Sequence, residues 1–184
     1  MQSNTSLPND RIASCSYDAT IKIWKSDSPY SDTPIKVLRD HSKVVFSLLY
    51  IKERYIMISG SIDSQLRNMS TYQCDKVIND CYINKGLYQI DRERIMTVMG
   101  GDLIIINIDK GIKEKTIEIE RGYGIVNCLL KLNDNKTILC GCNDGKISIF
   151  DLKIEKNKSI YNCHNSDITD LLSIDDIIKS SVLV

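Results

Sequence analysis

Apolar and polar side chains alternate one by one in short runs along this chain. Residues 20–24 read Thr-Ile-Lys-Ile-Trp and residues 146–150 read Lys-Ile-Ser-Ile-Phe. A period of two puts one set of side chains on a buried face and the other in water, which is the pattern of a half-exposed β-strand. No stretch of ten or more residues keeps a helical period, so the chain reads as all-β. Strands are expected at 12–16, 20–25, 56–60, 138–142 and 146–151. Third strands follow at 35–38, 76–78, 116–119 and 159–161. Fourth strands follow at 44–49, 125–130 and 168–172, with a weaker counterpart at 86–90.

The strands fall into a repeat. Asp18, Asp63, Asp102 and Asp144 are each followed, six residues on, by Trp24, Met69, Ile108 and Phe150, at steps of 45, 39 and 42 residues. Each unit reads as strand, tight turn at the Asp, second strand. Asn143-Asp144-Gly145 is the strongest of these turns, because glycine takes positive φ without strain. A period near 40 built from short β-segments points to a propeller-type array of four-stranded blades. One blade cannot bury both of its faces, so neighbours must stack on it. The units run at about 9–49, 50–90, 91–131 and 132–172, with a partial one at 173–184, inside one repeat region spanning 1–184. The loop 26–34 makes the first step the longest, and its Ser28-Pro29 and Thr33-Pro34 read as parts of a solvated loop.

Composition narrows the partners. Lys+Arg and Asp+Glu are 24 each, and the net charge is zero. This gives no electrostatic footprint for nucleic acid or for an anionic membrane surface. Residues 1–10 are polar, without the apolar stretch of a signal peptide. The seven cysteines are an odd number, which argues against a disulfide framework and for a reducing compartment. The expected location is the cytoplasm, with the nucleus as the alternative.

Ser14-Cys-Ser-Tyr-Asp18-Ala-Thr-Ile-Lys-Ile-Trp24, followed by Asp40-His41, resembles the WD repeat. Phe150-Asp151 stands where that family has Trp-Asp. The resemblance implies a WD-repeat β-propeller, incomplete or a fragment, with four blades and part of a fifth. It also implies a structural hydrogen-bond network of His, Ser, turn Asp and Trp. Here the second unit supplies His41, Ser59 and Asp63, with Met69 in the Trp position. The fourth unit has Gly122, Cys140 and Phe150 in place of His, Ser and Trp, so that blade should rest on apolar packing, with Asp144 mainly a turn residue. His164 matches His41 by its spacing to Ile168 and opens a fifth unit. If residues 168–172 close back onto the first unit, His164 joins Ser14, Asp18 and Trp24 in a complete network.

The family commonly docks partners on the face of the Asp-containing turns and of the loops that lead into the innermost strands. By position that face carries Tyr17, Ile62 and Asn143, with Val44, Phe46, Asn127 and Asp167. Its apolar, aromatic character suits a protein or peptide anchor; the competing reading puts Val44 and Phe46 in the core. Catalysis has little support. The two histidines are explained by the network, and a Ser59–His41–Asp63 triad has no oxyanion hole. Cys140, Cys142, Cys163 and His164 lack the usual zinc-ligand spacing. No cofactor or metal is expected. The function expected is a non-enzymatic protein-interaction scaffold. The alternative is a substrate-receptor or regulatory domain of a larger enzyme complex, for example a ubiquitin ligase.

Overall fold

The computed structural model describes residues 4–25, 33–63, 65–70, 72–79, 86–119, 124–132, 134, 136–154 and 156–173, with residues 4 and 65–70 as backbone only. The expected loop 26–34 apart from its last two residues, the Met69 side chain, Gly122 and the partial unit beyond Ser173 lie outside the described residues. The chain divides into two compact units, Met1–Ile119 and Glu120–Val184. Among the described residues there is no α-helix, only a 3-10 turn at Lys52–Arg54.

The first unit holds three four-stranded antiparallel sheets. The first is β1 (Asn4–Leu7), β2 (Arg11–Cys15), β3 (Ile21–Lys25) and β4 (Lys36–Leu38). The second is β5 (Val45–Ile51), β6 (Ile56–Ser61), β7 (Gln65–Ser70) and β8 (Gln73–Asn79). The third is β9 (Leu87–Gln89), β10 (Arg94–Met99), β11 (Asp102–Asn107) and β12 (Ile112–Ile117). The second unit holds a fourth sheet, β13 (Val126–Lys131), β14 (Thr137–Cys142), β15 (Lys146–Asp151) and β16 (Lys156–Asn162). In every sheet the strands neighbour each other in chain order, as in a propeller blade.

Stacking in the first unit follows from the pleat. Successive side chains of a strand point to opposite faces. Met57 therefore packs with Ala13, Cys15, Ile21, Ile23 and Leu38 of the first blade. Its neighbours Ile56 and Ile58 pack with Ile95, Ile104 and Ile106 of the third. Every side chain of β6 is buried, which is why Ile-Met-Ile shows no alternation: both faces of that strand are covered. Polar ties join the rims. Arg54 Nη2 donates to Asp109 Oδ1 (2.5 Å), and the Leu87 N–H donates to Ser47 Oγ (3.0 Å).

Bulges recur at fixed places. On the outer strands one extra residue sits beside the Trp position: Asp75 in β8, Glu114 in β12 and Lys158 in β16. Two of these reach back to the end of the adjacent strand. Asn107 Nδ2 donates to Glu114 Oε1 (2.9 Å), and Lys158 Nζ lies 2.6 Å from Asp151 Oδ2. Asn107 and Asp151 each accept N–H groups of the following turn, from Asp109 and Lys110 and from Lys153 and Ile154. Innermost strands β5 and β13 carry their own bulges, at Phe46 and Asn127.

Two sequence expectations are corrected here, and one strand that the alternation did not announce is added. In the third blade the turn is Gly100-Gly101, both at positive φ (64° and 101°). Such a two-residue turn is shorter than the others, so Asp102 opens β11 opposite Met99, and Ile106, not Ile108, takes the Trp position. Polar Asn4–Leu7 forms a strand because its backbone pairs with β2, and ladder hydrogen bonds need no apolar side chain. Residues 168–172 form no strand. The Ile168 N–H donates to Cys142 O (3.0 Å) and its side chain is buried, but no ladder continues from it.

Candidate interaction surface

The surface is built on the loop that enters β5. His41, on this loop, is buried. Its Nδ1 lies 2.9 Å from Asp63 Oδ2 and its Nε2 lies 2.8 Å from Ser59 Oγ. A carboxylate only accepts, so Nδ1–H donates to Asp63, and the Ser59 hydroxyl fits Nε2 as donor. The Ser42 N–H also donates to Asp63 Oδ2 (3.1 Å), and Ser61 Oγ donates to the Lys43 carbonyl (3.2 Å). The loop is thereby pinned to the second strand and turn of its blade. Ser59 is 0% exposed, so its hydroxyl meets no substrate.

The other network residues are placed differently. In the first blade Trp24 Nε1–H donates to Ser14 Oγ (2.8 Å). Asp18 is exposed and accepts the Thr20 hydroxyl (2.6 Å) and N–H (2.9 Å). The hydroxyl bond chiefly holds its carboxyl below the usual value. Asp144 pairs with Lys146 Nζ (2.6 Å), which lowers its pKa in the same way. Phe150 is fully buried in the Trp position, and Cys140 in the Ser position. His164 departs from the expected buried network. It is exposed, and its backbone N–H, not its ring, bonds Gly145 O (2.9 Å). Burying an imidazole here would require a strand beside it, and residues 163–173 form none.

The face itself comes together in the first unit. The Val45 N–H donates to Ser16 O (3.1 Å), and the Ile62 N–H to Val44 O (3.3 Å). These bonds gather the turns that carry Tyr17 and Ile62 around the start of β5. Tyr17 is 61% exposed and meets Phe46 edge to face, with ring centroids 5.5 Å apart at 75°. The bulge takes Phe46 out of the ladder and leaves it half-buried, and Val44 and Ile62 are half-buried too. In the second unit Asn143 and Asn127 stand where the first has Ile62 and Phe46, and exposed Ile125 stands where it has Val44. Asn143 is tied to the backbone of Ile125, accepting its N–H at Oδ1 (2.8 Å) and donating its own N–H to the carbonyl (2.9 Å). Asn127 Nδ2 donates to Asp167 Oδ2 (3.4 Å). The Tyr17–Phe46 contact spans two repeats, and no local spacing announces it.

The Cys140 and Cys142 thiols are not poised for chemistry. Burial raises the pKa of Cys140 strongly, and that of Cys142 to about 11 with help from the Asp144 charge, so both stay protonated at neutral pH. Among the described residues no group of three His, Cys, Asp or Glu side chains is placed to hold a metal.

Compared with known proteins, the sequence matches a repeat family in two stretches. The family model for the WD domain, G-beta repeat, matches residues 4–25 and 114–151. These two stretches of the chain carry WD repeats. Its relatives agree. The ribosome biogenesis protein WDR12 homolog of Nematostella vectensis is 44% identical over 55 residues, 30% of this chain and 12% of that protein. The nuclear distribution protein nudF of Aspergillus flavus is 36% identical over 73 residues, 38% of this chain and 16% of that protein. The WD repeat-containing protein 91 homolog of Dictyostelium discoideum is 27% identical over 174 residues, 86% of this chain and 21% of that protein. The chain thus spans no more than about a fifth of the length of these relatives. WD repeats generally serve as non-enzymatic scaffolds for protein–protein interaction.

Proposed function

We propose that this chain is a non-enzymatic interaction module whose partner is a protein or peptide docking on the turn-side face of the first unit. The observation that supports it is the Tyr17–Phe46 pair: an exposed ring braced edge-on by a second aromatic that a bulge has lifted from its strand. A braced aromatic is costly to leave in water and loses little freedom on binding, the profile of an interface anchor. Val44 and Ile62 extend its apolar surround. Asn127, Asn143 and Asp167 offer the corresponding polar contacts on the second unit. Equal numbers of acidic and basic residues favour this reading over a nucleic-acid or membrane partner, and the odd number of cysteines, seven, favours the cytoplasm. The relatives carry names as different as ribosome biogenesis and nuclear distribution, so the shared part is the docking module and not one pathway.

The test is affinity capture with the native protein, followed by mass spectrometry, against Tyr17→Ala and Ile62→Ala. Both variants should keep their melting temperature and lose the same specific protein. Undiminished capture by both would overturn this face. An enzyme's catalytic subunit among the captured proteins would favour the regulatory-domain reading instead.

A further inference from the structure

A second site lies in the first unit at the other end of the strands. The six-residue strand Ile56–Ser61 separates Tyr55 from Ile62, roughly 20 Å at strand rise, so this site is distinct from the face just described. It is a cavity of about 190 Å³, walled by Leu7, Met57, Tyr50, Tyr55 and Tyr72 with Arg11 among them. Pockets for small molecules generally exceed about 300 Å³; this one suits a single large side chain.

Three features show what it would take. First, Arg11 is a half-buried cation with no carboxylate partner among the described residues. Its Nη1 donates to the Tyr72 hydroxyl (2.6 Å), and its guanidinium lies over the Tyr72 ring at 5.8 Å. A planar fork held this way keeps further N–H groups for an anion. Second, the Tyr50 hydroxyl is buried without a hydrogen-bond partner, and a buried donor left unmade is costly. Burial raises its pKa, so it stays an O–H donor at neutral pH. Third, Tyr55 and Tyr72 stand in turns at φ 57° and 62°. Glycine or asparagine would hold such backbone at less cost, and strain of this kind collects at ligand sites. Tyr55 is moreover 73% exposed. Apolar walls, two donors and no acidic lining residue together call for an apolar group beside an anion.

We propose that this cavity receives an acidic peptide segment of a partner protein, with an aromatic or leucine side chain between the tyrosines and an adjacent carboxylate paired with Arg11. The probe is N-acetyl-Phe-Asp-amide, titrated into the full chain labelled with ¹³C at its methionine methyls and read at the Met57 methyl. The Phe-Asn and Phe-Lys amides serve as controls. The Phe-Asp peptide should shift the Met57 signal saturably, with Phe-Asn at least fivefold weaker and Phe-Lys not saturating. Arg11→Gln should bring the Asp and Asn peptides within twofold of each other. Tyr50→Phe should weaken the Asp peptide. Tyr55→Asn, which suits the left-handed turn, should weaken the Asp and Asn peptides alike. A motionless Met57 signal, equal affinity for the Asp and Asn peptides, or discrimination that survives Arg11→Gln would overturn the proposal. If Arg11→Gln does not fold, undiminished binding by Tyr55→Asn overturns it alone.

Discussion

His41 shows how much one residue can organise. Its ring joins a loop to a strand through Ser59 and to a turn through Asp63, all away from water. Removing the ring leaves a buried hydroxyl and a carboxylate short of partners, and each unmade bond of this kind costs about 1–3 kcal/mol. His41→Ala should therefore lower the unfolding free energy by at least about 1 kcal/mol, measured by urea titration; unchanged stability would refute the network. Ser59→Ala should cost less, because it strands only Nε2. Gly145 is a second such position. Its φ is +79°, and a Cβ there would lie 1.9 Å from the His164 carbonyl oxygen. The left-handed backbone alone costs an alanine about 1–2 kcal/mol, and the clash adds to it. Gly145→Ala should destabilise the second unit's sheet, seen as faster amide exchange at Cys142 and Lys146. Exchange unchanged from the native protein would show that the turn can move aside.

At the scale of the strand, the outer-edge bulges explain a polar feature that the apolar pattern conceals. A bulge turns one extra side chain toward the neighbouring strand, and Glu114 and Lys158 use it to hold Asn107 and Asp151. The two pairs differ in chemistry but share a position. Lys158 first, then the turn N–H groups, bring the Asp151 carboxyl down to about 2 from 3.8. A carboxylate with a lowered folded pKa contributes stability above its unfolded value and loses it as pH falls through the folded one. The contribution should thus be present above about pH 4 and fade toward pH 2. Asp151→Asn should lower the melting temperature at pH 6 and leave little difference from the native protein near pH 2. A gap that stays constant from pH 6 to pH 2 would rule this pair out as the source.

For the first unit as a whole, stability is shared between stacked blades. Ile58 and Met57 lie side by side in β6 yet serve cores on opposite faces. Ile58→Ala should cost about 2–5 kcal/mol, the usual range for such a deletion. Because a blade cannot bury its faces alone, the loss should speed amide exchange in the third blade and in the first together. Exchange confined to β10 and β11 would mean that the blades open independently. Zero net charge belongs to this scale too. Added duplex DNA should give no salt-dependent complex at 50 mM salt, whereas a slope of log K on log salt would reveal a phosphate contact.

The sequence by itself determined which segments are strands and where most turns fall. Ile21–Lys25 and Lys146–Asp151 alternate, Asn143-Asp144-Gly145 can only turn, and these are properties of a few adjacent residues. The resemblance to the WD repeat put Phe150 and Cys140 in the Trp and Ser positions, whereas period two groups Phe150 with Lys146 and Ser148, and the structure buries Phe150 and Ser148 rather than Ile147 and Ile149. The tertiary structure decided register and partnership. Two glycines shortened the third turn and moved Asp102 onto a strand. Asn4–Leu7 became a strand because Arg11–Cys15 offered it a ladder, while residues 168–172 found none and left His164 in water. Tyr17 met Phe46, and Arg11 met Tyr72, across separations of 29 and 61 residues. Alternation is fixed by covalent neighbours, but pairing and stacking depend on surfaces that exist only once the blades have formed.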